Sequence, residues 1–412
     1  MHHVILGSGI AGLQAARAIL DIQPRARISM LSRESAPPYS RPMISQLLEG
    51  AVEPWQLELG LPPQVEHIPD DQAQAVDASQ KIVHTRQGRE MSYDRLLLAC
   101  GADPRPLSAS GLELGNIFYM RDKSHVESML EALPGCSRAL VLGGGLVGLK
   151  AAYSLLRQGL EVTMLISSSY PLSQQVDPFT GSLVLDKLKQ NGLQVKVGLE
   201  VIRFAGQSSQ VAGAELSDGS SLDCQLVVVG KGVDPAIGFL QDSGIQTGQG
   251  VIVDDRLRTS VRDVYAAGDA AELLDLARNS SRVNAIWPEA AEQGKVAGLN
   301  MAGQDLCYPG SLSRNVLRVF DLDVLSCGLV NPEASQDCEI LEDYKPGRHT
   351  FRRLVLSCEG RLLGAVCVNR IQQAGILMHL IRSGLPVPVQ ARELLDPELH
   401  PGRLQGDWLS FL

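Results

Sequence analysis

Gly7-Ser8-Gly9-Ile10-Ala11-Gly12 follows a short apolar run, Val4-Ile5-Leu6, and precedes a helical pattern from Leu13 to Leu20. This is G-x-G-x-x-G in a strand–turn–helix setting, with Ala16 four residues beyond the last glycine. The chemistry open to such a cluster is the holding of a pyrophosphate. Gly7 permits the sharp turn, Gly9 lets the backbone approach the phosphates, and Gly12 lets the helix pack on the strand. The free N–H groups at the helix start then face the anion. A second strand, Arg27 to Leu31, ends at Ser32-Arg33-Glu34, and Glu34 stands 22 residues past Gly12. That is close to the offset of about 20 residues for an acid that binds a ribose 2′-hydroxyl. Arg33 beside it makes the match imperfect. A tight glycine turn in an ordinary βα unit is the competing explanation.

The pattern recurs. Ala139 to Leu142 reads as a strand, Gly143-Gly144-Gly145-Leu146-Val147-Gly148 as the turn, and Leu149 to Leu156 as the helix, with Ala152 four residues past Gly148. Gly143, Gly145 and Gly148 are the expected cradle for a second dinucleotide; the alternative is a degenerate, empty copy. The next strand, Glu161 to Ile166, runs into Ser167-Ser168-Ser169, with no acid at its end and no arginine nearby. The ribose partner usual for NAD(H) is therefore missing. Nothing stands ready to neutralise a 2′-phosphate either. NAD(H) is the expected cofactor and NADP(H) the alternative.

A third segment, Arg256 to Asp269, contains Thr259, Tyr265-Ala266-Ala267-Gly268 and Asp269 in a T-x(5)-Y-A-x-G-D arrangement. A short apolar strand ending in Gly-Asp can set one carboxylate beside polyol hydroxyls; alone, the same residues would read as a strand-to-helix turn with an N-cap aspartate. With the two cradles, the segment resembles the pyridine nucleotide–disulfide oxidoreductase superfamily, the two-dinucleotide-fold flavoproteins. The resemblance covers nearly the whole chain. It implies that the first cradle holds FAD, that Asp269 binds the ribityl chain, and that the second cradle holds the nicotinamide dinucleotide. It also implies that the helix beginning near Trp287-Pro288 aims its positive end at the pyrimidine edge of the flavin. Leu96 to Ala102 is similar to the family's A-T-G segment, with Cys100 where threonine is usual. Val227 to Pro235 is similar to its return crossing between domains.

Departures from the family narrow the branch. No cysteine precedes Cys100, so the redox pair of the disulfide reductases and the single cysteine of the peroxidase and oxidase branch are both missing. The family's C-terminal His–Glu pair is missing too, since His400 is followed by Pro-Gly. No catalytic side chain is assigned. Pro38-Tyr-Ser-Arg41-Pro-Met-Ile-Ser45 instead resembles the rubredoxin and ferredoxin reductases and the flavin part of assimilatory nitrite reductases, and implies that Arg41 contacts FAD phosphates. Two residues differ from that branch: Gln46 where lysine is frequent, and Lys150 where glutamate is frequent. The resemblance implies hydride transfer between nicotinamide and flavin, then electron transfer at an exposed flavin edge, in either net direction.

The elements that must position these residues fill a chain of 412 residues, long enough for two or three domains. The expected fold class is α/β: two Rossmann-like domains plus a small α+β C-terminal domain. An FAD-binding domain is expected over 1–112 and 236–305, interrupted by a nicotinamide-binding domain over 113–235. A C-terminal unit over 308–395 is expected to serve dimerisation or docking. Its strands are read at Thr350 to Ser357 and Leu362 to Asn369, around a Glu359-Gly360 turn, and its helix at Gln373 to Ser383. A net charge of −9 argues against non-specific nucleic-acid binding, and no run of some 18 apolar residues suggests a membrane span. The opening apolar stretch to Leu20 is broken by three glycines and Arg17, so a signal peptide is not expected. Eight cysteines with no C-x-x-C pair, and eight histidines with no H-E-x-x-H, suggest reduced thiols in a cytoplasmic protein without a metal site. Three functions follow. The first is an NAD(P)H reductase of a protein carrier such as rubredoxin or ferredoxin. The second is an FAD subunit of a larger iron–sulfur complex of the aldehyde or 2-oxoacid oxidoreductase type. The third is a non-catalytic FAD-binding scaffold or sensor.

Overall fold

Each glycine cluster follows a strand at the centre of a five-stranded parallel sheet. The first sheet runs Val264–Ala266, Arg95–Leu98, His2–Leu6, Arg27–Leu31, Val65–Ile68. The second runs Gln194–Val197, Glu161–Ile166, Arg138–Leu142, Leu226–Val229, Ile117–Tyr119. This computed structural model describes residues 1–387 and 389–399; His400 lies outside them. The central strands are apolar on both faces because helices cover both: Val4, Ile5, Leu140 and Val141 are almost wholly buried.

The helices are α1 (Ile10–Ile22), α2 (Ile44–Glu49), α3 (Lys123–Ala132), α4 (Leu146–Arg157), α5 (Pro178–Gln190), α6 (Trp287–Met301) and α7 (Ala374–Ser383). α1 and α4 each start three residues before the apolar periodicity does, because their first turns contain the last glycine of each cluster. α1 also packs directly on α6. A Cβ at Gly294 would lie 2.1 Å from the Ala11 carbonyl oxygen, and one at Gly298 would lie 2.4 Å from that of Ala15. Two glycines spaced by four therefore let the backbones touch.

The chain leaves the first sheet after Arg95–Leu98 and returns to it at Val264–Ala266. Its two crossings lie side by side, Ala102–Pro104 antiparallel to Val233–Pro235, and Arg105 pairs with Asp234 at 2.8 Å. After α6 comes an antiparallel sheet in the order Arg314–Val319, Leu322–Gly328, Leu362–Val368, Thr350–Ser357, Cys338–Lys345, against which α7 packs. The expected α/β class with an α+β C-terminal unit is thus present. Three of that unit's five strands, with α2, α3 and α5, were not read from the sequence. One apolar cluster joins Leu47 and Leu48 of α2 to Val141 and Leu155, and both to Val324 and Phe351 of the C-terminal sheet. Among the described residues no helix is long and apolar enough to cross a membrane.

Candidate cofactor site

The two cradles share one construction. Gly7 has φ +114° and donates its N–H to the Leu31 carbonyl at 2.8 Å; Gly143 has φ +113° and donates to Leu165 at 2.9 Å. A Cβ at Gly12 would lie 2.0 Å from the Gly7 carbonyl oxygen, and one at Gly148 would lie 2.0 Å from that of Gly143. The outer glycines of each cluster are therefore required by the fold. The middle ones are not: a Cβ at Gly9 or Gly145 would meet nothing within 4 Å. Gly9 and Gly145 are also the N-caps of α1 and α4. Neither helix start carries a side-chain cap or an acid in its first turn. Each cradle thus presents unsatisfied N–H groups and a partial positive charge to open space, which is what a pyrophosphate needs.

The first cradle borders a cavity of about 240 Å³ through Gly9, and the second reaches it through Val147 in the first turn of α4, with Gly143, Gly145 and Gly148 outside its wall. Gly9, Ile10 and Ala11 form one side, and Val147, Lys150 and Gly230 another. Arg41, Asp269 and Trp287, all read from the sequence, line it as well. Asp269 sits in a 3₁₀ turn, Gly268–Ala270, just past the strand Val264–Ala266, and hence at the carboxyl end of the first sheet. The Gly268 N–H donates to the Gln293 side chain at 2.8 Å, which ties this turn to α6. Trp287 is the first residue of α6, placing Pro288 one residue later in the helix than the sequence suggested. A pocket with apolar walls and a few placed charges fits a flavin with its ribityl chain.

Glu34 is not in the cavity wall. Its carboxylate forms a short ion pair with Arg41 and accepts a 2.6 Å hydrogen bond from the Tyr39 hydroxyl. Arg41 also donates to the Arg121 carbonyl at 3.1 Å. Burial opposes the charge on Arg41 most strongly, but Glu34 with Tyr39 and Asp122 together outweigh it and hold the guanidinium above its ordinary pKa. A carboxylate can accept about four hydrogen bonds, so Glu34 retains capacity for a ribose hydroxyl while it positions Arg41.

Arg121 is the residue that sequence reading missed. It follows the edge strand Ile117–Tyr119, lines the cavity, and donates to Asp269 at 3.0 Å. Its signal was a lone basic residue at a strand end beside the α3 N-cap Asp122, which is too common a pattern to single out. The start of α6 holds a second surprise. Glu289, in its first turn, is fully buried and ion-paired with Arg314 at 3.1 Å and Arg382 at 3.0 Å. The Tyr308 hydroxyl donates to it as well. The helix end thus carries an acid of its own, neutralised from the C-terminal unit, rather than a bare dipole.

All eight cysteines are free. Three are buried, while Cys307 and Cys358 are exposed, so the thiols are not uniformly core residues. Cys100 adjoins the cavity-lining Ala99 and Gly101, and burial pushes its thiol up to about 12. It is a thiol and not a thiolate nucleophile at neutral pH. Among the described residues no group of three His, Cys, Asp or Glu side chains could hold a metal ion.

A family model described as pyridine nucleotide-disulphide oxidoreductase matches residues 1–294. A second, described as the rubredoxin NAD+ reductase C-terminal domain, matches residues 314–385. The chain is 28% identical over 406 residues to the NADH-dependent phenylglyoxylate dehydrogenase subunit epsilon of Aromatoleum evansii, spanning 96% of this chain and 95% of that one. It is 30% identical over 283 residues to the rubredoxin-NAD(+) reductase of Pseudomonas putida, spanning 67% of this chain and 72% of that one. Among solved structures, a ferredoxin reductase from Rhodopseudomonas palustris superposes with a TM-score of 0.85 at 25% identity, covering 96% of this chain and 97% of that one.

Proposed function

The chain belongs to the pyridine nucleotide-disulphide oxidoreductase family, and we propose that its electrons pass from NAD(P)H through FAD to rubredoxin, ferredoxin or a similar small carrier. It is an FAD-dependent oxidoreductase that uses NAD(P)H and exchanges electrons with a protein carrier. The observation that carries this reading is the opening of two uncapped, acid-free helix starts onto one cavity. FAD, when bound, supplies the two-electron and one-electron chemistry. The chain supplies binding and exclusion of water. Gly9 and the first turn of α1 would receive the FAD pyrophosphate, with Arg41 beside it. Gly145 and the first turn of α4 would receive that of the nicotinamide dinucleotide. Asp269, oriented by Arg121, would accept hydrogen bonds from the ribityl hydroxyls. Ile10, Met120, Val147 and Val229 keep the cavity apolar. No side chain needs to act as acid, base or nucleophile. We divide the chain accordingly into an FAD domain (1–112 and 236–305), a nicotinamide domain (113–235) and a C-terminal interface unit (308–395). The free thiols support a cytoplasmic location.

Steady-state turnover tests the proposal. The FAD-loaded protein should reduce rubredoxin or ferredoxin with NAD(P)H at a rate that saturates in the carrier. If neither is reduced by an enzyme whose flavin NADH does reduce, the carrier assignment is wrong. One observation favours a second reading. The Aromatoleum evansii relative, named as a subunit, matches over nearly its full length in both directions. Co-purification with iron–sulfur proteins from the native host would support that role, the chain then being the FAD subunit of a larger complex.

A further inference from the structure

Four charged side chains line the shared cavity: Arg41, Arg121, Lys150 and Asp269. Three are compensated, Arg41 by Glu34 and Arg121 by Asp269. Lys150 is not. Among the described residues its ammonium meets one acceptor, the Pro42 carbonyl oxygen at a long 3.4 Å, and forms no ion pair. Burial of part of the side chain lowers its pKa from the ordinary lysine value, with no carboxylate to offset it. The residue is still exposed to solvent, so its ammonium stands at the open side of the cavity as a charge that no protein group neutralises.

Position indicates what that charge acts on. Lys150 lies five residues past Gly145 on α4, so it stands about 7.5 Å along the helix from the second cradle. Ser154, one turn further, donates to the Ser45 carbonyl at 2.7 Å, which fixes this face of α4 against α2. Lys150 therefore lines the cavity that the first turns of α1 and α4 both reach, and two rings held at those helix starts must meet in that volume to react. Hydride transfer moves two electrons and one proton from the nicotinamide ring to the flavin. The nicotinamide goes from neutral to +1, and the flavin from neutral to −1. A fixed positive charge between them favours the reduced flavin and disfavours the oxidised nicotinamide.

We propose that Lys150 sets the direction of electron flow, by stabilising reduced FAD and weakening the hold on NAD(P)+. The inference rests on the functional reading above. It makes Lys150 a charge-positioning residue, distinct from a phosphate holder, and the two roles predict opposite signs. The test uses FAD-loaded wild type, Lys150→Met, Lys150→Glu and Lys150→Arg, with FAD content confirming that each folds. The flavin midpoint potential is measured by dye-coupled titration, and NAD+ affinity by fluorescence. Lys150→Met should shift the two-electron reduction equilibrium against the reduced flavin by about tenfold, which is ~30 mV. Lys150→Glu should shift it further, and Lys150→Arg should stay near wild type. NAD+ should bind Lys150→Met more tightly than wild type. An unchanged potential in Lys150→Met, or weaker NAD+ binding in it, overturns the proposal; Lys150→Met alone suffices if Lys150→Glu does not fold. The dye titration does not depend on NADH. A wild type that NADH fails to reduce would sink the functional reading while leaving the potential measurable.

Discussion

A single Cβ separates the glycines that build the cradles from those that face a ligand. Gly148→Ala would place a methyl 2.0 Å from a backbone oxygen. It should cost about 1–3 kcal/mol as an overpacked site, measured by denaturant titration. Gly145→Ala meets no atom of the protein. It should fold normally and keep its FAD, yet raise the KM for NAD(P)H by at least about tenfold, or ~1.4 kcal/mol. If Gly145→Ala binds NAD(P)H as wild type does, the dinucleotide does not lie on the second cradle. These glycines were legible in the sequence because their spacing is local and steric. Arg121 was not, because its meaning lies in Asp269, 148 residues away. The Glu34–Arg41 pair was half legible. Each residue was expected near a phosphate or a ribose, and neither against the other.

At the scale of elements, the strands read correctly are those buried on both faces. Arg27–Leu31 and Glu161–Ile166 match their expected limits because parallel central strands form continuous apolar runs. Of the three C-terminal strands missed, two are edges, while Leu322–Gly328 is an interior and mostly buried strand. Arg314–Val319 and Cys338–Lys345 flank the C-terminal sheet, and most of their residues are partly or wholly exposed, so neither shows a clean alternation. α2 is a six-residue helix, too short for periodicity to show. The contact of α1 with α6 was hidden too, since Gly294 and Gly298 gain meaning only once Ala11 and Ala15 are known to oppose them. Gly294→Ala should force the two helices apart, costing about 1–3 kcal/mol. It should also lower FAD retention on gel filtration, because α1 carries the first cradle. α3 provides a smaller test. Asp122 caps it by accepting from the His125 N–H at 3.1 Å, and Asp122→Ala should cost about 1 kcal/mol with FAD content unchanged.

The molecule as a whole holds its cavity in place through contacts that cross the chain's three units. The cluster of Glu289, Tyr308, Arg314 and Arg382 is the polar tie between the start of α6 and the C-terminal sheet and helix. The apolar cluster shared by α2, α4 and that sheet is another tie. Arg314→Met leaves the buried Glu289 with Arg382 as its remaining ion-pair partner. It should destabilise the FAD-loaded protein by about 3 kcal/mol, the lower end for breaking a buried pair, read from the shift in its denaturant midpoint. The two-sheet plan and its cofactors could be read from repeated local motifs. The way the third unit braces the cavity-lining start of α6 could not, since it depends on charges that meet only after folding. The central claim is that both nucleotides react directly in one cavity. Anaerobic mixing of the FAD-loaded protein with NADH, without any carrier, tests it most directly. The account predicts bleaching of the flavin absorbance with one NADH oxidised per FAD. A flavin that stays oxidised in excess NADH and NADPH would contradict it.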